Sequence, residues 1–248
     1  MTRLDPAALP RDTEALVTLA QSSRFRDFPA QAEDVFAVNV TANLALLQWA
    51  IGAGVRRVVH ASSGGIYGGR TDGQLQESDL LAVDSPLGFY LGSKLCSEIV
   101  MQNFRHLFES VVILRPFFIY GPRQRTDMFV ARMIDSVRWG RPIQLQGRDG
   151  LRVNPVHVDD AVLAFARALT IQGNHVINVA GPDVMTLRTM CGIIGAAMDR
   201  QPIFAHKEGE PVDYVGDTLQ AEHKLGFRPV SFRTGIDRTL DADRCLAT

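Results

Sequence analysis

At 248 residues, with 46% hydrophobic and 21% charged side chains, the chain has the composition of one large or two small globular domains. Its formal net charge of −1 gives no electrostatic footprint for nucleic acid or for an anionic membrane surface. Three widely spaced cysteines, Cys96, Cys191 and Cys245, argue against a disulfide framework and a zinc site, and fit a reducing cytoplasm.

No uninterrupted apolar run approaches a membrane span, since Val111 to Tyr120 is broken by Arg115 and Pro116. The N-terminus carries Arg3, Asp5, Arg11, Asp12 and Glu14 and has no signal-peptide core, so a soluble chain without a membrane partner is expected. Residues 1–11, with Pro6 and Pro10, read as a loop, and 15–20 as a short strand for a buried parallel sheet. A helix is predicted over 33–54, with Val35, Val38, Leu46 and Trp49 apolar and Gly54 as its stop. A strand over 55–61, a polar loop over 69–88, a helix over 89–108 and a strand over 111–114 follow. This βαβ alternation predicts a parallel sheet with its ligand at the C-terminal edge.

Beyond Pro122 the rhythm changes. A helix over 128–139, a strand over 143–145, a hairpin-like turn at Gly147 to Gly150 and a helix ending near Leu169, capped by Asp159 or Asp160, are predicted. A strand over 175–180, a helix over 186–198, a strand over 201–204 and small helices over 217–225 and 234–243 complete the chain. His157 with Asp159 and Asp160 does not make a metal site, because side chains entering a helix at that spacing splay and no second His or Cys cluster accompanies them.

The chemistry concentrates in residues 58–94. Ser63 follows the strand, Gly64-Gly65-Ile66-Tyr67-Gly68 makes a turn, and Tyr90 and Lys94 lie four residues apart on one helix face. An ammonium close to a phenol favours phenolate, bringing it toward the range where it exchanges protons with a substrate hydroxyl. Tyr-x-x-x-Lys alone is common by chance; the order strand, Ser, Tyr-Gly turn, loop, Tyr-x-x-x-Lys helix and then Arg115-Pro116-Phe117-Phe118-Ile119-Tyr120-Gly121-Pro122 is not.

With that order the chain resembles an extended short-chain dehydrogenase/reductase of the NAD-dependent epimerase/dehydratase family, over about 15–240. The resemblance implies an α/β fold, a doubly wound parallel Rossmann-like sheet with a smaller α/β substrate domain. The boundaries are 1–122 with 156–182 for the first domain, and 123–155 with 183–248 for the second. It implies Tyr90 as acid/base, Lys94 lowering its pKa and contacting the nicotinamide ribose, and Ser63 positioning the substrate. Leu19, Ala20, Ala61, Pro116 and Phe117 would lie along NAD or NADP, with Pro116 and Phe117 flanking the nicotinamide ring. Ser63, Gly64, Phe118, Arg123, Arg141 and Arg152 would face the substrate, a sugar nucleotide or related sugar. Asn39 would hydrogen-bond the neighbouring strand, and Thr18 stands where the family often has His.

Two departures bear on the substrate. Gly64-Gly65 replaces the Asp-Glu pair of sugar-nucleotide 4,6-dehydratases, and Phe118 replaces an Asn common in nucleotide-sugar epimerases. Helices 33–54 and 88–108 would form a homodimer contact.

The resemblance also leads one to expect a strand, a Gly-rich turn and a helix ahead of Ala15, and Met1 to Pro6 instead resembles the linker before the family's fourth strand. The sheet is therefore expected to be truncated and cofactor binding weak or absent. An alternative expectation is a cofactor-poor remnant that serves as a binding or oligomerisation module.

Overall fold

The computed structural model describes Asp5, residues 8–83 and residues 87–245. Most of the linker read at 1–6, and residues 84–86 of the polar loop, lie outside the described residues.

Strand β1 (Ala15–Thr18) pairs in parallel with β2 (Arg57–Ala61), and β2 in parallel with β3 (Ser110–Pro116). The register sets Thr18 against His60 and His60 against Ile113. Strand β6 (Gly173–Val179) lies beyond β3, giving the order β1-β2-β3-β6. The strand read over 15–20 stops at Thr18 and lies at the sheet edge, as expected of a truncated sheet. With a neighbour on one side only, Val17 and Leu19 are exposed and Thr18 is buried.

The predicted helix over 33–54 is α1 (Ala32–Phe36), a π-helical turn (Ala37–Thr41) and α2 (Ala42–Gly52) in succession. By length and hydropathy Ala32–Gly52 could cross a membrane. Its apolar content has another use: Leu47 and Ala50 pack with Val55, Val58, Met101, Val111 and Ile113 in the core between helix and sheet. Helix α3 (Gly88–Phe104) lies alongside, ending in a 3-10 turn at Arg105–Leu107. The π turn coincides with Asn39, as such bulges often coincide with functional positions.

Asn39 does not bond to a strand. Its Oδ1 accepts from the Ser22 N–H at 3.0 Å and its Nδ2 donates to Ser93 Oγ at 2.8 Å, tying the segment after β1 to α3.

Contacts divide the chain into two compact units. The first comprises 1–68, 77–115 and 165–177, and the second 69–76, 116–164 and 178–248; segments 69–76, 116–122, 156–164 and 178–182 thus fall in the second unit. Within the second, α4 (Phe129–Arg138) supplies Val130, Met133, Ile134 and Val137 to a core shared with Met190, Cys191 and Ile194 of α6 (Leu187–Met198) and Phe232, Ile236 and Leu240 of α8 (Phe232–Cys245). Strand β4 (Ile143–Gln146) pairs in parallel with β8 (Phe204–Lys207), and β5 (Arg152–Val153) antiparallel with β7 (Met185–Thr186). Gly147 to Gly150 is therefore not a hairpin, because the strands it joins belong to different sheets.

The strand expected at 201–204 lies over 204–207, where register with β4 outweighs local hydrophobicity. Helix α5 (Val158–Ala168) starts earlier than expected, so Asp159 and Asp160 occupy its first turn and His157 Nδ1 accepts from the Asp159 N–H at 3.3 Å. Acidic groups there suit the positive end of the helix. Helix α7 (Leu219–Leu225) ends at Gly226 in a left-handed conformation.

Candidate active site

Strand β2 ends at Ala61 and delivers Ser62 and Ser63 into a tight turn. Ser63 Oγ caps the following 3-10 turn (Gly64–Tyr67), accepting from the Gly65 N–H at 3.1 Å. A Cβ at Gly65 would lie 2.8 Å from Leu91 Cδ2, so glycine lets this turn close against α3 beside Tyr90. The turn and the first two turns of α3 place Ser63, Tyr90 and Lys94 within one unit.

Lys94 is buried, and its ammonium donates to the Ala61 carbonyl at 3.0 Å. Burial holds Lys94 down to about 8, opposed by the Glu98 carboxylate one turn further along. Glu98 is itself fully buried and receives both arms of Arg115, at 3.0 and 2.7 Å. Arg115 also donates to Tyr67 Oη at 2.6 Å and to the Glu77 carbonyl at 3.4 Å, joining the turn and the polar loop to β3.

The phenol differs from expectation. Burial pushes Tyr90 up to about 12, against the downward pulls of Ser63 hydrogen bonding and the Arg26 charge. Lys94, expected to lower it, is engaged with Ala61 instead. The Tyr90 hydroxyl donates to Gln21 Oε1 at 2.9 Å, and the Phe25 ring lies 4.9 Å from the Tyr90 ring.

Under the triad lies a buried polar chain that the sequence reading missed. Thr18 Oγ1 and Ser97 Oγ each sit 2.7 Å from a His60 ring nitrogen. The Ser97 hydroxyl donates to the Lys94 carbonyl at 2.9 Å, so its oxygen accepts from His60 Nε2–H, leaving Nδ1 to accept from Thr18.

The other expected site residues are distributed differently. Leu19 and Ala20 are exposed after β1, and Gly64 is buried in the turn. In the second unit, the Phe117 ring packs against Gly216, where a Cβ would come within 2.7 Å of it, so the ring expected beside a nicotinamide is committed to that unit's interior. Pro116 precedes it, half-buried, at the end of β3. Phe118 holds φ +45°, unusual for a bulky residue and better suited to the family's Asn. Its ring packs 4.8 Å from Phe129 and 6.0 Å from Tyr214, which compensates that conformation with aromatic contact.

Arg123, Arg141 and Arg152 lie on three separate segments. Arg141 pairs with Asp135, and Arg152 with Asp213 through both its backbone N–H and Nε, at 2.6 and 2.7 Å. The Arg123 backbone N–H reaches Asp243 at 3.3 Å. Two of the three guanidinium groups expected to face the substrate thus already hold carboxylates. Among the described residues no group of three or more His, Cys, Asp or Glu side chains converges on a metal position.

A parallel sheet whose strand end carries a serine turn beside a Tyr-x-x-x-Lys helix defines the class of short-chain dehydrogenases and reductases. The chain belongs to the NAD dependent epimerase/dehydratase family, whose sequence profile matches residues 4–180. It is 28% identical over 211 residues to the UDP-glucuronate 4-epimerase of Thermodesulfobacterium geofontis, covering 82% of this chain and 64% of that protein. It is 31% identical over 212 residues to the dTDP-glucose 4,6-dehydratase of Streptomyces antibioticus, covering 82% and 62%. The chain therefore spans less than two thirds of the length of these two relatives. The structure of MoeE5 in complex with UDP-glucose and NAD superposes with a TM-score of 0.83 at 28% identity, covering all of this chain and 86% of that one.

Proposed function

We propose that this chain carries the proton-transfer half of an NAD(P)-dependent oxidoreduction at a carbinol carbon of a sugar nucleotide, with Tyr90 as acid/base. The observation that carries this reading is the meeting of Ser63, Tyr90 and buried Lys94 in one compact unit at the end of β2. Burying an ammonium is unfavourable unless it is paired and hydrogen-bonded. The Ala61 carbonyl accepts one of its hydrogen bonds, and the neighbouring Ser62 Oγ is buried with no hydrogen-bond partner among the described residues, a polar lining that fits the ribose end of a dinucleotide. When bound, that dinucleotide would supply hydride acceptance and return.

Tyr90 then exchanges a proton with the substrate oxygen, while Ser63 orients that oxygen. Gly64-Gly65 offers no acid or base for elimination, which favours epimerisation or reduction over 4,6-dehydration. The relatives' names supply the substrate class, a nucleoside-diphosphate sugar.

One assay tests both parts. Turnover of UDP-glucose or UDP-glucuronate should require added NAD or NADP, and Tyr90→Phe should lower kcat by about 10²–10⁴-fold. Absence of turnover at saturating NAD, or a fully active Tyr90→Phe, sinks the reading.

The reading extends to a cytoplasmic homodimer through helices 33–54 and 88–108. Phe36, Leu44 and Ile51 on the first and Ile99 on the second are exposed large apolar groups, which supports a covered face. Sedimentation equilibrium should give twice the chain mass, with Ile51→Glu shifting it to monomer; a monomeric parent chain removes the dimer from the proposal.

A further inference from the structure

The segment between β1 and α1 is irregular but firmly placed, and it is folded onto the start of α3. The Ser22 N–H donates to Asn39 Oδ1, and Ser22 Oγ donates to Asp34 at 2.6 Å and accepts from the Arg24 N–H at 3.1 Å. Asn39 in turn grips Ser93 on α3. Phe28 stacks on Phe89 with centroids 4.9 Å apart, and Phe25 packs on Tyr90. Gln21 precedes pinned Ser22 directly, so its amide is held where it meets the Tyr90 hydroxyl.

We propose that Gln21 is a positioning residue that holds Tyr90 in its protonated form, so that the resting site presents an acid rather than a base. This rests on the role given to Tyr90 above. The hydroxyl has one proton, and in the free protein that proton lies in the bond to Gln21 Oε1. A hydrogen bond donated by the neutral phenol disfavours the phenolate. To receive a substrate proton Tyr90 must first lose its own, and Gln21 Oε1 would then face an anionic oxygen with its lone pairs. Reprotonation of a keto oxygen meets no such barrier, since the proton passes from the phenol to the substrate and the Gln21 bond is simply given up.

The charges around the phenol are few. Arg26, from the same segment, lies with its Cζ 4.5 Å from the Phe25 centroid and favours phenolate, as does Ser63 from the β2 turn. On α3, Lys94 is turned to Ala61, and Glu98 is matched by Arg115 of β3. From α1, Asp34 is engaged with Ser22. Burial is the main influence set against Ser63 and Arg26, and the bond to Gln21 is the contact at the hydroxyl itself that acts in the same direction as burial.

The test replaces the tyrosines of the full chain with a ring-fluorinated analogue whose phenol titrates near neutral pH, read by fluorine NMR, with Tyr90→Phe identifying the resonance. Gln21→Met, which keeps length but removes the acceptor, should lower the Tyr90 titration by about one pH unit. Gln21→Glu should raise it, since a carboxylate there adds a like charge. Both shifts in those directions support the proposal; an unchanged titration in Gln21→Met overturns it, and so does a rise, which would mean that the amide N–H had been stabilising the phenolate. In turnover, Gln21→Met should move the phenol limb of the kcat profile the same way with KM little changed, whereas a change confined to KM overturns the proposal by making Gln21 a substrate contact. A chain that turns over no sugar nucleotide removes the function proposed above, while the fluorine titration still decides the role of Gln21.

Discussion

Arg115→Ala should destabilise the chain by about 3–5 kcal/mol, because it leaves the Glu98 carboxylate buried and uncompensated. The pair is closed to solvent on both sides, with side-chain exposures of 4% and 0%, and its two hydrogen bonds form a fork onto the carboxylate. Truncation also removes donors to Tyr67 Oη and to the Glu77 carbonyl, and the guanidinium stacked 4.9 Å from the Tyr67 ring. Urea unfolding at pH 7 measures the loss as a fall in midpoint at unchanged slope. The double variant Arg115→Met with Glu98→Met should recover most of it, since neither charge then needs solvation. A double variant as unstable as the single one would show that the pair itself, rather than the stranded carboxylate, carries the energy.

The same substitution reaches the active site through α3. Glu98 sits one turn beyond Lys94 and raises its pKa against burial. With Arg115 in place, Glu98 divides its influence between a partner it touches and the ammonium one turn away. Without Arg115 it acts on Lys94 alone, so Arg115→Ala should strengthen the charged form of Lys94 even as it loosens the fold.

Some of this arrangement was open to reading from the sequence. The run Val58 to Ser63 and the apolar helix bearing Tyr90 and Lys94 are contiguous, so local pattern places the serine at a strand end and the Tyr-Lys pair on one helix face. What was not legible lies in pairs distant along the chain. Gln21 is 69 residues from Tyr90, and nothing in a Leu-Ala-Gln-Ser sequence marks it as a partner for a phenol. His60 reads as one member of an apolar strand, although its partners Thr18 and Ser97 lie 42 and 37 residues away. Arg115 and Glu98 look like ordinary surface charges until the fold buries both. The left-handed backbone at Phe118 shows the opposite limit: the family's Asn hinted at a special position, but aromatic packing with Phe129 and Tyr214 accommodates a residue that propensity argues against.

Acid should destabilise this chain through His60. Burial first, and the Lys94 charge second, hold its pKa down to about 3. In the unfolded chain an imidazole titrates near ~6.5, so below that pH the unfolded state binds a proton that the folded state refuses. The neutral ring's contribution is therefore fully present above about pH 6.5 and is lost progressively toward pH 3, at about 1.4 kcal/mol per unit. Between pH 7 and 5 the loss from this group is about 2 kcal/mol. His157, also held below its ordinary value by burial, adds a smaller slope of the same sign. Urea unfolding of the parent chain and of His60→Gln separates the two. The variant should start less stable at pH 7, because an amide cannot span Thr18 and Ser97 as the ring does, yet lose about 2 kcal/mol less on acidification to pH 5. Equal pH dependence in the two proteins would acquit His60 and place the acid sensitivity elsewhere. Because His60 joins β1, β2 and α3 directly beneath Lys94, its protonation should loosen the helix that presents Tyr90, so activity is expected to fall with stability rather than with the phenol's own titration.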